Sequence, residues 1–259
     1  MATVAFSEND VRPVEVFFER LAMAMALTVV LAFTLQWFRG FSSFGAKPLI
    51  HAHALAFMGW TVLFVLQARL ATRGPIELHR KLGWVGAVWA ALLIVMGCWI
   101  TADMVQRGQA PFFFTPQYFL IANPLTVFCF AGLTWTAVRL RKQTDWHRRL
   151  HICAMTAIMG PAFGRLLPMP YITPYAFEIA VLAGLAFPLA GMIRDLLASG
   201  KVHRAWIYGV GAVLLVFPMS HAISGSGLGD AIYASVTAGH PGASVPAHEF
   251  PPPPPGVVL

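Results

Sequence analysis

A chain of 259 residues with 58% apolar side chains, 18 Lys and Arg against 11 Asp and Glu, and a mean hydropathy of +0.67 carries too little charge to cover a water-soluble fold of its length. These figures exclude a soluble enzyme, a disordered chain, collagen and a disulfide-stapled secreted scaffold. Apolar runs of about 20 residues, without the ten-residue alternation of an outer-membrane barrel, leave an all-α integral membrane bundle.

Residues 1–17 hold Glu8, Asp10, Arg12 and Glu15 and lack the order of a cleavable signal peptide. They read as a polar cytoplasmic lead into an uncleaved signal anchor. Seven transmembrane helices are predicted near 18–38, 49–71, 82–102, 117–138, 150–168, 174–194 and 204–221, each long enough for a hydrocarbon core roughly 30 Å thick. Lys and Arg set the orientation, because basic flanks stay on the cytoplasmic side. Fourteen of the 18 collect on one side, around Arg20, Arg73, Arg80, Arg141, Arg149 and Arg204, and only Arg39, Lys47, Arg107 and Arg165 fall on the other. This places the N-terminus in the cytoplasm and the C-terminus outside, as expected of a multi-pass protein of the bacterial inner membrane. The net charge of +7 then faces anionic lipid and calls for no nucleic-acid partner.

Cys98, Cys129 and Cys153 fall in three different spans and are expected to be free thiols. Pro124, Pro161, Pro188 and Pro218 interrupt the fourth to seventh spans, and each frees a carbonyl that a neighbouring helix or a wet cavity must satisfy. The chain thus divides into the lead, a seven-helix domain over 18–221, and a tail over 222–259. The tail is rich in Gly, Ser and Pro and ends near the five prolines Pro251 to Pro255. It is expected to be a flexible extracytoplasmic segment, because its composition buries little apolar surface.

Two segments at the inner ends share one layout, Glu77-Leu78-His79-Arg80-Lys81-Leu82 and Asp145-Trp146-His147-Arg148-Arg149-Leu150, and His203-Arg204 opens the seventh span similarly. The arginines suit phosphate snorkelling and the acids suit helix N-termini. His151 stands one turn beyond His147, on the same face.

At the opposite side, His51 and His53 open the second span and His221 ends the seventh, with Asp103, Arg165 and Glu178 at similar depth. Ionisable groups in a membrane cost about 2.5–3.5 kcal/mol each near a helix centre and usually turn inward. His51 and His53 lie about 200° apart on a regular helix, so only one can face a common site, and His53 is the inward choice. Arg165 is expected to pair with Glu178 or with a cofactor carboxylate.

Neutral imidazole is a common ligand of transition metals and of haem iron, and bundles build such sites between facing helices. Haem candidates are His53 with His221 outside, and His79 with His147 or His151 inside; a metal ion would draw on His51, His53, His221 and Glu178. No Cys-x-x-Cys-His attachment signature is present.

His51-Ala-His53, Gly59-Trp60, Gln67, His79-Arg-Lys-Leu-Gly83 and His147-Arg-Arg-Leu resemble a group of uncharacterised bacterial multi-pass membrane proteins over roughly residues 50–165. The His-Ala-His opening is also similar to a segment of the haem- and copper-containing membrane proteins of the nitric-oxide response, and that resemblance implies ligand roles for His51 and His53. The two-pair arrangement resembles cytochrome b561-like proteins, although the outer halves of the fourth and fifth spans contain no His. The leading expectation is therefore a redox or redox-sensing membrane protein binding haem b or a copper ion at an outer-side site. Alternatives are a proton-coupled or small-solute transporter built on Glu178 and Asp103, and an accessory subunit of a larger membrane complex or a redox partner. Ser220 and His221 are adjacent on one helix and point apart, which argues against hydrolysis.

Overall fold

In a computed structural model, which describes residues 13–40 and 44–253, the chain is helical throughout its core. Of the polar lead, residues 1–12 lie outside the described residues, as do Pro254, Pro255 and the four residues after them. The long helices are α1 Pro13–Phe38, α2 Pro48–Arg73, α3 Ile76–Gln106 and α4 Pro116–Arg139. Next come α5 Thr144–Ala157, α6 Gly160–Leu166, α7 Ala176–Gly184, α8 Ala186–Ser199, α9 Arg204–Ser224 and α10 Gly227–Thr237.

Six segments among the described residues are long and apolar enough to cross a membrane: α1, α2, α3, α4, the joined α7–α8 and α9. Over an apolar core, the helices also carry an apolar exterior that a soluble bundle lacks. Leu27, Val62, Val88, Phe128, Leu197 and Ile207 face outward, whereas Glu19, Thr101, Gln117, Arg149 and Asp195 are buried. With lipid as solvent this polarity is the stable one, because polar groups must find partners within the protein. The chain is an all-helical, multi-pass membrane protein.

The fifth expected span, 150–168, is not one helix. It is split at Ile158 and Met159 into α5 and α6. Pro161 sits in the first turn of α6, where its missing N–H is tolerated, and it could not have continued α5. Pro124 and Pro218, in contrast, are carried inside continuous helices α4 and α9, and Pro188 lies in the first turn of α8.

Helix α4 is central, packed against α3, α5 and α9, while α1 lies against α2 and α6. Close approach is bought by small residues: a Cβ on Gly209 of α9 would stand 2.5 Å from Cys153 Sγ, and one on Gly191 of α8 would collide with the Trp206 ring. All three cysteines are free.

The arginine-rich ends of α2, α4, α5, α8 and α9 gather at one end of the bundle, called the basic end below. There Arg149 clamps the Asp195 carboxylate with Nε at 2.8 Å and Nη2 at 2.7 Å, and Trp206 Nε1 donates to the same group at 2.9 Å. The Phe18 ring stacks on Trp206 with centroids 6.0 Å apart, which ties α1 to α9. Glu19, 3% exposed, accepts from Arg73 Nε at 2.8 Å.

The expected flexible tail is folded in its described part. Helix α9 runs on to Ser224, and α10 then lies across α3 and α4 at the far end. Ile232, Tyr233 and Val236 pack with Val105, Phe119 and Leu120, and the Tyr233 hydroxyl donates to Gly242 O and Val245 O, both at 3.1 Å. Wholly buried Gln117 fastens the cap: its Nε2 donates to Ser224 O at 2.7 Å and to Asp230 Oδ1 at 2.8 Å. The Gln117 bond, with a second from His248, holds the Asp230 carboxyl below its usual range. A short amphipathic helix of 11 residues is masked by the Gly, Ser and Pro around it, which is why composition misread the segment. Gln117→Leu removes both side-chain bonds and is expected to loosen the cap by about 1–3 kcal/mol. Limited proteolysis should then cut between 225 and 250 faster than in the unaltered protein.

Candidate functional site

Two polar clusters contain most of the residues singled out from the sequence. The first is at the basic end. His79 and His147 occupy the same place, the fourth residue of α3 and of α5. Each leans back on the helix before it: His79 Nδ1 lies 3.2 Å from Gln67 O of α2, and His147 Nδ1 lies 2.8 Å from Ala137 O of α4. A carbonyl can only accept, so Nδ1 carries the proton in both rings and Nε2 is left with a bare lone pair. Ala137 is in the last turn of α4, where carbonyls lack intrahelical donors, and this gives His147 a ready anchor.

The two rings stand edge to face with centroids 6.2 Å apart, and His151 follows with its centroid 4.6 Å from that of His147. Two helix hairpins thus deliver two imidazoles in the same tautomer to one spot. Anchoring the far nitrogen of a histidine is how proteins orient imidazole for ligation and raise its basicity. The Oε1 of Gln67, the residue on which His79 leans, is buried without a donor.

The second cluster is at the far end. His221 Nε2 donates to Glu178 Oε1 at 2.8 Å, and the Tyr118 hydroxyl donates to the same oxygen at 2.8 Å. The His221 side chain is 63% exposed against 17% for Glu178, and Glu178 Oε2 is buried without a partner.

The remaining outer residues do not join this cluster. His51 Nε2 lies 3.1 Å from Phe44 O. His53 turns the other way, against the Phe57 ring at 4.4 Å and toward the backbone of Met96, as two residues apart on a regular helix must diverge. Among the described residues no hydrogen bond, ion pair or ring contact joins His53 to His221. The set His51, His53, His221 and Glu178 is therefore dispersed into three places. Arg165 does not pair with Glu178 either; its Nη1 donates to Pro161 O at 2.8 Å and its guanidinium lies over the Phe33 ring at 4.3 Å. Asp103 is taken by Arg107 at 2.7 Å. Among the described residues no group of three or more His, Cys, Asp and Glu side chains is placed to hold a metal ion.

Sequence reasoning missed three participants: Tyr118, which shares Glu178 with His221; Gln117, which fastens the cap; and the clamp of Arg149 on Asp195 and Trp206. The adjacent polar pair Gln117-Tyr118 at the start of a span was the one available signal for the first two. At the basic end His203 serves α9 by accepting the Ala205 N–H at 3.1 Å, and burial, with the Arg149 charge second, holds its ring below the ordinary histidine range. No protein-family model matches this chain, and no match was found among curated proteins or solved structures.

Proposed function

We propose that this chain is a bacterial inner-membrane redox protein in which His79 and His147 hold haem b, or a copper ion, at the basic end. Helices α5 and α6 complete a seventh crossing, the N-terminus and the basic end face the cytoplasm, and the C-terminal cap lies outside. The bias of 14 of 18 basic residues toward one side supports that orientation. The observation that carries the ligand assignment is the matched anchoring of His79 Nδ1 on Gln67 O and His147 Nδ1 on Ala137 O, which leaves two Nε2 lone pairs from different hairpins free to bind. Two such nitrogens are the donor set of a b-type haem. The proposal moves the site from the outer side, where His53 and His221 are apart, to the inner one.

The role of this chain's residues is to fix ring orientation and tautomer. Gln67 and Ala137 do so through their backbones, and His151 backs His147 and is the alternate ligand. Bound there, haem iron or copper would supply one-electron exchange. The test is the absorption spectrum of detergent-purified protein from haem-replete cells, read with metal analysis. A Soret band that shifts on dithionite reduction, or stoichiometric copper, is the expected result; neither band nor metal removes the proposal.

A second reading has its own observation. Glu178 carries a buried carboxylate oxygen without a partner beside exposed His221, an arrangement suited to proton-coupled or small-solute transport. Unchanged uptake by Glu178→Gln in proteoliposomes excludes it.

A further inference from the structure

At the far end of the bundle two arginines and a histidine gather without an acid. Arg165 closes α6; Arg39, just past the end of α1, reaches Arg165 O with Nη1 at 3.4 Å; and His53 of α2 lies within electrostatic reach of the Arg165 charge. Arg165 Nε is a buried donor without a partner, and His53 Nδ1 beside this group is a buried nitrogen without one. Among the described residues no carboxylate forms an ion pair with Arg165 or Arg39. The acid of the packed helix α7, Glu178, is occupied by His221 and Tyr118.

The half-buried Arg165 guanidinium gives up part of its hydration, and its Nε edge gives up all of it, with no counter-charge in return. Arg165 recovers part of this from Pro161 O and from the face of Phe33. One carbonyl and one ring leave most of its five N–H donors unused, with no neutralising charge. The edge formed by Nε and a terminal nitrogen is the fork that matches two oxygens of a carboxylate or phosphate. The Arg39 guanidinium, held against the Arg165 backbone carbonyl, supplies a second positive charge that can share an anion with Arg165.

We propose that Arg165, with Arg39, forms a binding site beside His53 for an oxyanion, a carboxylate or a phosphate. The site is independent of the redox proposal, because His79 and His147 lie at the other end of the bundle. The oxyanion has two possible sources, the phosphate of an anionic lipid and a small soluble anion.

Purified protein is placed in phosphatidylcholine nanodiscs with and without phosphatidylglycerol, and lipid retained after extraction is counted by native mass spectrometry. In parallel, thermal shifts are recorded in pure phosphatidylcholine nanodiscs on titration with acetate and with inorganic phosphate. Retention of phosphatidylglycerol that falls at least about tenfold in Arg165→Gln identifies a lipid phosphate. Stabilisation by acetate or phosphate that disappears in Arg165→Gln identifies a soluble anion. Arg165→Lys keeps the charge without the fork, and is expected to fold and to bind more weakly in whichever arm responds. Should Arg165→Gln fail to fold, the wild type against Arg165→Lys decides the same question. Equal lipid retention and equal thermal response in the wild type and the Arg165 variants overturn the proposal.

Discussion

Asp195→Ala is expected to destabilise the protein by about 3–5 kcal/mol, enough to lose most of the monodisperse peak on size-exclusion chromatography of the detergent extract. The Asp195 side chain is 3% exposed and that of Arg149 6%, so the charge left behind on Arg149 has little water to turn to. The same substitution strips the acceptor from Trp206 Nε1, buried at the junction of α8, α9 and α1. Asp145, which also meets Arg149 Nη1 at 3.0 Å, is 59% exposed and replaces only part of the lost field. Asp195→Asn keeps the shape and one acceptor oxygen but removes the charge, and is expected to fall between the two. Removing both partners together, as Arg149→Met with Asp195→Leu, should recover much of the loss, because an apolar pair leaves nothing unpaired. Thermal unfolding of the wild type, Arg149→Met, Asp195→Leu and the double variant measures this, and additive losses in the double variant would show that the clamp is not a coupled unit.

His147→Ala is expected to lower haem or copper content by at least tenfold, the scale on which altered support alone weakens such sites. His79→Ala should do the same, since each hairpin supplies one Nε2. The controls follow from the geometry. His53→Ala and His221→Ala, at the far end, should leave the spectrum unchanged, and His151→Ala should broaden or shift it without abolishing it. Loss confined to His53 and His221 would return the site to the outer side.

How much of this could be read from the residues differs from element to element. The second span, expected over 49–71, is helix Pro48–Arg73; the fourth, over 117–138, is Pro116–Arg139; and the seventh, over 204–221, is Arg204–Ser224. Length and hydropathy suffice for these because lipid demands a full turn-by-turn run of apolar residues. The fifth span departs from its expected 150–168 because α5 already begins in the polar turn around Asp145 and Arg149, and because the chain breaks at Met159 inside that range. At the candidate site the recurrence of acid, apolar residue, His and Arg was visible in the chain, and so was the His147 to His151 spacing.

The residues by themselves determined the solvent of this protein, the positions of most long helices and the placing of a histidine at the head of two of them, because these depend on local composition and helical period. Only the tertiary structure decided which histidines meet. Whether two side chains on separate helices share a pocket depends on the rotation and tilt of each helix. Those are set by contacts such as Cys153 against Gly209 and Arg149 against Asp195, between residues far apart in the chain.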